Sequence, residues 1–245
     1  MRIGLEPLFP RKGSLLEEVQ KRLAENIERL SSMLRINRAK DDAAGLAISE
    51  SLRGQIVETI QGIRNLQDRI SRIQVADQAL GSQSGIIDRM RELAVQATNA
   101  TLSEEDRTAI EREFSQLREE INRIAEKTTF NEQPVIGDMT AERLGLSNVR
   151  LGDETTLRTL DRAKEVITSR RANLGAEERS LASEIGRLGV AAINLTAAES
   201  LIRDNDVAEE VSSLTINQIL EELNIIMLNQ ARRNSSNILN LLREG

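Results

Sequence analysis

The apolar residues of this chain fall on helical periods almost from end to end. Leu15, Leu16, Val19, Leu23, Ile27 and Leu30 step by three and four, which predicts one amphipathic helix after Ser14. Leu52, Leu66, Ile73, Leu80 and Ile87 share a seven-residue repeat broken only by Thr59, and Ile56, Ile63 and Ile70 sit four positions further on. That pattern is a coiled-coil seam, continuing to about Thr98. A third stripe, Ile110, Phe114, Leu117, Ile121 and Ile124, follows Ser103, and the acidic Glu104, Glu105 and Asp106 behind that serine suggest a capping box. The strongest signal comes next: Leu160, Ile167, Leu174, Leu181, Leu188, Leu195 and Ile202 recur every seventh residue without exception. A last helix carries Val211, Leu214, Leu220, Leu223 and Met227, and Ile238, Leu239, Leu241 and Leu242 close the chain.

The interruptions divide these stripes. Residues 1–13, "MRIGLEPLFPRKG", contain Pro7, Pro10 and Gly13 and predict an extended or mobile leader. In "RINRAKDDAAGLAIS" (35–49), Asp41 and Asp42 are good N-cap and first-turn residues, because their carboxylates accept otherwise unpaired N–H groups at the positive end of the helix dipole. Ala43, Ala44, Gly45 and Ala47 leave room for another helix to come close, and Arg35, Arg38 and Lys40 are positioned for polar contacts. Gly81 and Gly85 weaken the second helix by roughly 1 kcal/mol each and allow a kink there. From Phe130 to Thr156 helical periodicity disappears, Pro134, Gly137, Gly145 and Gly152 punctuate, and "PVIG" with "NVRLGD" predicts one or two short hairpins.

The order is a long helix, a shorter one, a hairpin region, a long helix back, and amphipathic helices at both ends. It folds most simply as a mainly α protein: an elongated antiparallel helical rod or coiled coil, with a small β-hairpin region near 130–156 and paired terminal helices. The expected domains are a leader and terminal helix at 1–40, the rod at 41–202, and a C-terminal helix at 203–245 that pairs with the N-terminal one through Leu214, Leu220, Leu223 and Met227. Terminal stripes with no third partner in the chain present their remaining apolar surface to other copies, which points to self-assembly.

Composition narrows the chemistry. Aromatic residues are 1% of the 245, the profile of helices packed along narrow seams. There is no Cys and no His, so disulfides, thiolate nucleophiles, His general bases, catalytic triads and imidazole metal sites are excluded by inventory. An enzyme is not expected, and no cofactor or metal site is. The net charge is −6, and the 33 Lys and Arg are interleaved with 39 Asp and Glu instead of forming a basic face, which argues against nucleic acid as a partner. No stretch reaches the ~20 apolar residues of a spanning helix, so membrane insertion is not expected, and the N-terminus lacks the apolar core of a cleaved signal. "DNDVAEE" (204–210) lacks the glycine of a calcium loop and a terminal bidentate Glu at the right distance, and reads as a helix N-cap with an acidic first turn. In "DRMRELAVQ" (88–96), Arg89 and Leu93 stand four apart on one helical face, a charged surface with a core contact.

Several of these stretches together resemble bacterial flagellin. "IERLSSMLRINRAKDDAAGLAIS" (27–49) is similar to the flagellin N-terminal signature nearly residue for residue, and "IRNLQDRISRIQVADQAL" (63–80) and "DRMRELAVQATNAT" (88–101) continue it. "NLTAAESLIRDNDVAEEV" (194–211) and "NQIL" (217–220) resemble the C-terminal signature. The resemblance implies a structural subunit of the flagellar filament, with the rod in the outer tube of the filament core and the terminal helices paired in an inner tube. It implies an extracellular protein exported through the flagellar type III apparatus without a cleaved signal, a flagellin chaperone acting at the C-terminal helix, and, in animal hosts, recognition by the Toll-like flagellin receptor. Arg89, Leu93 and Glu113 match positions the family uses for that receptor, and Arg35, Asn37, Asp41, Asp42 and Gly45 fall at the joint where terminal and rod helices meet and subunits pack. Two features depart from the family pattern: only 130–156 separates the rod halves, which implies a thin, smooth filament, and the wording of 1–26 and 221–245 is more charged and less Ala/Gly-rich than usual. A hook–filament junction protein and a non-flagellar coiled-coil surface or adaptor protein are the alternatives.

Overall fold

In a computed structural model of the chain, described over residues 10–99, 101–147 and 149–244, the predicted helices are present in the predicted order. They are α1 (Pro10–Ser32), α2 (Ala43–Ala97), α3 (Glu104–Lys127), α4 (Glu154–Arg203) and α5 (Val207–Glu244), with β1 (Thr129–Phe130) and β2 (Gln133–Pro134) between α3 and α4. The backbone divides into two compact units: unit 1 holds residues up to Val57 together with Ile193 onward, and unit 2 holds Glu58–Ala192.

Unit 2 carries the dense core. Leu80, Ile87, Met90, Leu93 and Ala94 of α2 pack with Ile110, Phe114 and Ile121 of α3 and with Leu160, Ala163 and Ile167 of α4. The seven-residue repeats of α2 and α4 therefore face inward as predicted, and burial of each such side chain stabilises by about 1.5–3 kcal/mol. Along the flanks the antiparallel α2 and α4 carry matched polar pairs: Arg69 with Glu177 at 2.8 Å, Arg171 with Asp77 at 2.7 Å, Arg91 with Asp161 at 3.3 Å, and Lys164 with Asp88. These exposed pairs fix which residues stand opposite one another more than they stabilise, since surface ion pairs contribute about 0–1 kcal/mol each. Helix α2 continues through Gly81 and Gly85 as helix. The buried Gln83 supports that stretch by donating to the carbonyls of Ile121 (3.1 Å) and Met139 (2.9 Å). Helix α3 opens with the expected capping box, Ser103 accepting from Asp106 N–H and the Asp106 carboxylate accepting from Ser103 N–H.

The hairpin region is narrower than expected. One antiparallel pair forms, Thr129 opposite Pro134 and Phe130 opposite Gln133, closed by Asn131 (φ 49°) and Glu132 (φ 64°). Positive φ at both central residues is the mirror-image turn that suits the twist of a hairpin. The described residues of "NVRLGD" form no strand; after Pro134 the chain runs as turns instead. Its apolar residues lack the alternation of a strand, and Ile136, Met139, Ala141, Leu144 and Leu146 drop one after another into the core, with Gly145 at φ 76° turning the backbone.

Unit 1 is built differently. Helix α1 begins at Pro10, so residues 10–13 are helical rather than extended; proline at a helix start loses nothing, because its missing N–H would have no partner there. The rest of the expected leader, residues 1–9, lies outside the described residues. Helices α1 and α5 pack together, with Asp206 capping α5 by accepting from Ala208 N–H at 2.9 Å. By length and composition alone α4 is long and apolar enough to cross a membrane; the expectation of no spanning stretch rested on consecutive apolar residues, a run that Gly, Asn and Thr interrupt in α4.

Candidate functional site

Within unit 1 the end of α1 and the end of α4 meet at a joint. Met33 leaves α1 with φ 58°, Leu34 pairs with Asp204 as an antiparallel bridge, and two backbone hydrogen bonds close it: Arg35 N–H to Arg203 C=O at 2.7 Å and Asn205 N–H to Met33 C=O at 3.1 Å. Arg35 adds its guanidinium, donating to the Ile202 carbonyl at 2.7 Å. Asn37 donates through Nδ2 to Ser32 Oγ at 2.8 Å, and Arg203, itself buried, reaches Glu50 at 2.7 Å. Of the residues expected here, Arg35 contacts the end of α4, Asn37 meets Asp41, and Asp42 meets Gly45.

The two aspartates have different jobs. Asp42 caps α2: its Oδ1 accepts from Gly45 N–H at 2.9 Å. Asp41 faces back into the loop, where its Oδ2 accepts from the N–H groups of Arg38 (2.9 Å) and Asn37 (3.1 Å). The Arg38 N–H holds the Asp41 carboxyl below its ordinary value, since a hydrogen bond to the charged form favours it. A Cβ on Gly45 would lie 2.5 Å from Asp42 Oδ2 and 2.8 Å from Ile36 Cδ1, so the room at this glycine is filled by the chain's own cap and by Ile36, which is 2% exposed.

The seam between α1 and α5 is half polar. Leu16, Val19, Leu23 and Leu30 turn inward from α1, while Leu15 and Ile27 point outward. Between Leu23 and Leu30 the inward position belongs to Asn26, which is 7% exposed and donates to Glu210 at 2.5 Å while accepting from Asn217 Nδ2 at 2.9 Å. Arg29 stands 3.9 Å from the same Glu210 carboxylate. On α5 the inward positions are Glu210, Leu214, Asn217, Glu221, Asn224 and Leu228. Of the residues expected to make this pairing, Leu214 is half-buried, but Leu220, Leu223 and Met227 are 38%, 46% and 57% exposed and lie on other faces of α5. Apolar pattern alone selected them; the seam follows a heptad on which Asn26 lies seven after Val19 and Asn217 seven after Glu210, a phase the polar residues concealed.

The "DRMREL" segment lies in unit 2. Arg89 and Glu113 come together from α2 and α3, with Nη2 2.8 Å from Oε1, and Arg89 also binds Glu92 at 2.9 Å. These carboxylates raise the Arg89 pKa above its ordinary value, Glu113 foremost. Leu93 is separated from them: it is 1% exposed and belongs to the core. Among the described residues no group of three or more acidic side chains is arranged to hold a metal ion.

Comparison with known proteins bears on both units. The profile of the bacterial flagellin N-terminal helical region matches residues 13–140, and that of the C-terminal helical region matches residues 157–242. The flagellar filament 33 kDa core protein of Treponema phagedenis is 40% identical, over 89% of this chain and 92% of that protein. A flagellin of Halalkalibacterium halodurans is also 40% identical, over 89% of this chain and 90% of its own length. A crystal structure of Bacillus cereus flagellin aligns with 56% of this chain and 94% of that one, at 29% identity and a TM-score of 0.46. With both helical regions matched in chain order and relatives similar over nearly their whole length, the chain belongs to the bacterial flagellin family.

Proposed function

We infer that this chain serves as a structural subunit of the flagellar filament, and that it polymerises through the faces its own fold leaves bare. One observation carries this reading: α5 holds Val211, Ile216, Ile219, Leu223 and Ile226 exposed on a helix whose inward face is largely polar. Apolar surface of that extent marks an interaction site, and repeated head-to-tail contacts that do not close into a ring generate a filament. We assign to the joint residues Arg35, Asn37, Asp41, Asp42 and Gly45 the shaping of the turn from α1 into α2 within unit 1, next to the faces that neighbouring subunits would cover.

Membership of the family also supports three finer readings. The filament is extracellular, and its subunits leave the cell by the flagellar type III route. Before export, the apolar faces of α5 are the surface a flagellin chaperone would cover. In an animal host, the exposed Arg89–Glu113 pair is the part of the "DRMREL" region that a Toll-like flagellin receptor would meet, while Leu93 acts from beneath by holding α2 in place.

Seeded assembly of concentrated protein, followed by negative-stain microscopy, tests the main reading. Filaments are expected from the natural chain, and none from a variant carrying Ile219→Asp with Ile226→Asp that keeps its helicity. Soluble monomers from the natural chain under every condition, seeds included, would overturn it.

A further inference from the structure

A buried polar cluster sits in the middle of the α1–α5 seam, and the assembly described above does not need it there. Asn26 and Glu210 are each 7% exposed, and their side chains meet at 2.5 Å. Asn217 donates to the other side of the same carboxamide at 2.9 Å. Leucines flank the cluster on both helices, Leu23 and Leu30 on α1 and Leu214 on α5. A leucine at each polar position would pack the seam more tightly, so the polar choice costs stability. In coiled coils the usual return on that cost is specificity, because a buried polar group tolerates only the alignment that gives it a partner.

We propose that Asn26, Glu210 and Asn217 determine the register in which the two terminal helices pair. The geometry follows from the seven-residue spacing. Slipping α5 by one heptad in one direction carries Asn217 from Asn26 to Val19, away from any carboxamide; slipping it in the other carries Glu210 away from Asn26 toward the joint and brings Asn217 and Asn224 to Asn26 in place of Glu210 and Asn217. The first slip strands the Asn217 amide and the second breaks the hydrogen bond from Asn26 to the Glu210 carboxylate, and either loss disfavours the slipped pairing by about 10- to 100-fold. An all-leucine seam has no such penalty, since every heptad offers the same surface. The backbone bridge between Leu34 and Asp204 is the rival determinant, for it ties the two helices where they enter the joint. Two backbone hydrogen bonds and the Arg35 guanidinium on the Ile202 carbonyl hold it, all accepted by backbone carbonyls, and it leaves the pairing of α1 with α5 beyond the joint to the side chains of those helices.

The chain has no cysteine, so a pair of introduced cysteines reports register directly. Gln20 donates to Glu221 at 3.2 Å, and Gln20→Cys with Glu221→Cys reads the native alignment. Gln20→Cys with Leu214→Cys, and Gln20→Cys with Leu228→Cys, read slips of one heptad to either side. Under oxidation of dilute monomer, the native cluster is expected to close only the first pair. In a background of Asn26→Leu, Glu210→Leu and Asn217→Leu, closure of the slipped pairs is expected to rise at least ~10-fold with helicity maintained. Persistence of the single native crosslink in that background would overturn the proposal and assign register to the bridge. Should the triple variant fail to fold, Glu210→Gln and Glu210→Leu decide: the amide keeps a hydrogen-bonding partner for Asn26 and should hold the register, the leucine should release it, and identical behaviour of the two refutes the idea. The measurement is made without assembly, so it fails or succeeds independently of the filament reading.

Discussion

Unit 2 and unit 1 are both helical, yet one finishes its own packing and the other does not. In unit 2, α2, α3, α4 and the turns after β2 surround a shared apolar core, and large side chains such as Leu80, Met90, Ile121 and Leu160 are fully buried. In unit 1, two helices meet along a seam that is polar at its centre, and Leu15, Ile27, Ile216, Ile226 and Met227 remain exposed. A two-helix contact cannot cover both faces of an amphipathic helix; a third layer can. Under the proposed function, the difference separates a unit with a finished apolar core from one whose bare faces are left for other subunits to cover.

Substitutions at matched depth should expose this contrast. The largest effect is expected for Phe114→Ala, which empties a site 3% exposed in the unit 2 core and should cost about 3–5 kcal/mol in urea unfolding followed by circular dichroism. Leu16→Ala in the half-buried seam of unit 1 should cost clearly less, and equal losses would mean that the two units are packed alike. Gly45→Leu should come next, at about 1–3 kcal/mol, because the new side chain collides with Asp42 and Ile36 inside a single chain. A monomer of unchanged stability that no longer assembles would instead return Gly45 to the subunit interface.

Smaller effects follow at the joint and on α5. Asp42→Ala removes the cap of α2 and should cost ~1 kcal/mol, whereas Asp41→Ala should leave the cap intact and loosen only the Asn37–Arg38 loop, a distinction amide exchange can read. Because the carboxyl of Asp41 titrates below its ordinary value in the folded chain, its contribution is complete above the ordinary aspartate range and is lost as pH falls through the lowered value. Protection of the Arg38 and Asn37 amides should follow that course; loss of protection already at mildly acidic pH would contradict it. Least of all should Ile226→Asp affect the monomer, within about 0.5 kcal/mol, since the side chain is 63% exposed. The same variant should impair filament growth strongly, and normal growth would remove this face from the assembly surface.

Periodicity made much of this fold legible. The repeats of α2 and α4 run over many heptads, so an occasional Thr59 or Gly81 does not blur the phase, and the Ser103 box marks the start of α3 by local chemistry alone. Short or polar segments were harder. The hairpin at 129–134 rests on two residues of positive φ, Asn131 and Glu132, neither of them glycine, and the turns behind it are held by burial of Ile136 and Leu146 rather than by any strand pattern. At the α1–α5 seam, counting apolar residues favoured Leu214, Leu220, Leu223 and Met227, of which only Leu214 turns inward, and it passed over Asn26, Glu210 and Asn217, which meet there. Leu93, grouped with Arg89 by helical spacing, proved to be core, because a position four residues away still lies 40° further around the helix, enough to turn inward when α3 and α4 cover that side.

The amino-acid sequence by itself determined the helices, their order, the heptad seams, the capping of α3 and membership of the flagellin family, since each of these depends on residues near one another in the chain or on a repeat long enough to average out exceptions. Tertiary structure alone decided which faces of α1 and α5 meet, that Asp41 and Asp42 take separate roles, and that Gly45 is occupied by its own chain. Those outcomes depend on side chains distant in sequence coming within a few ångströms, where a carboxylate and a carboxamide can satisfy each other and turn a polar position inward.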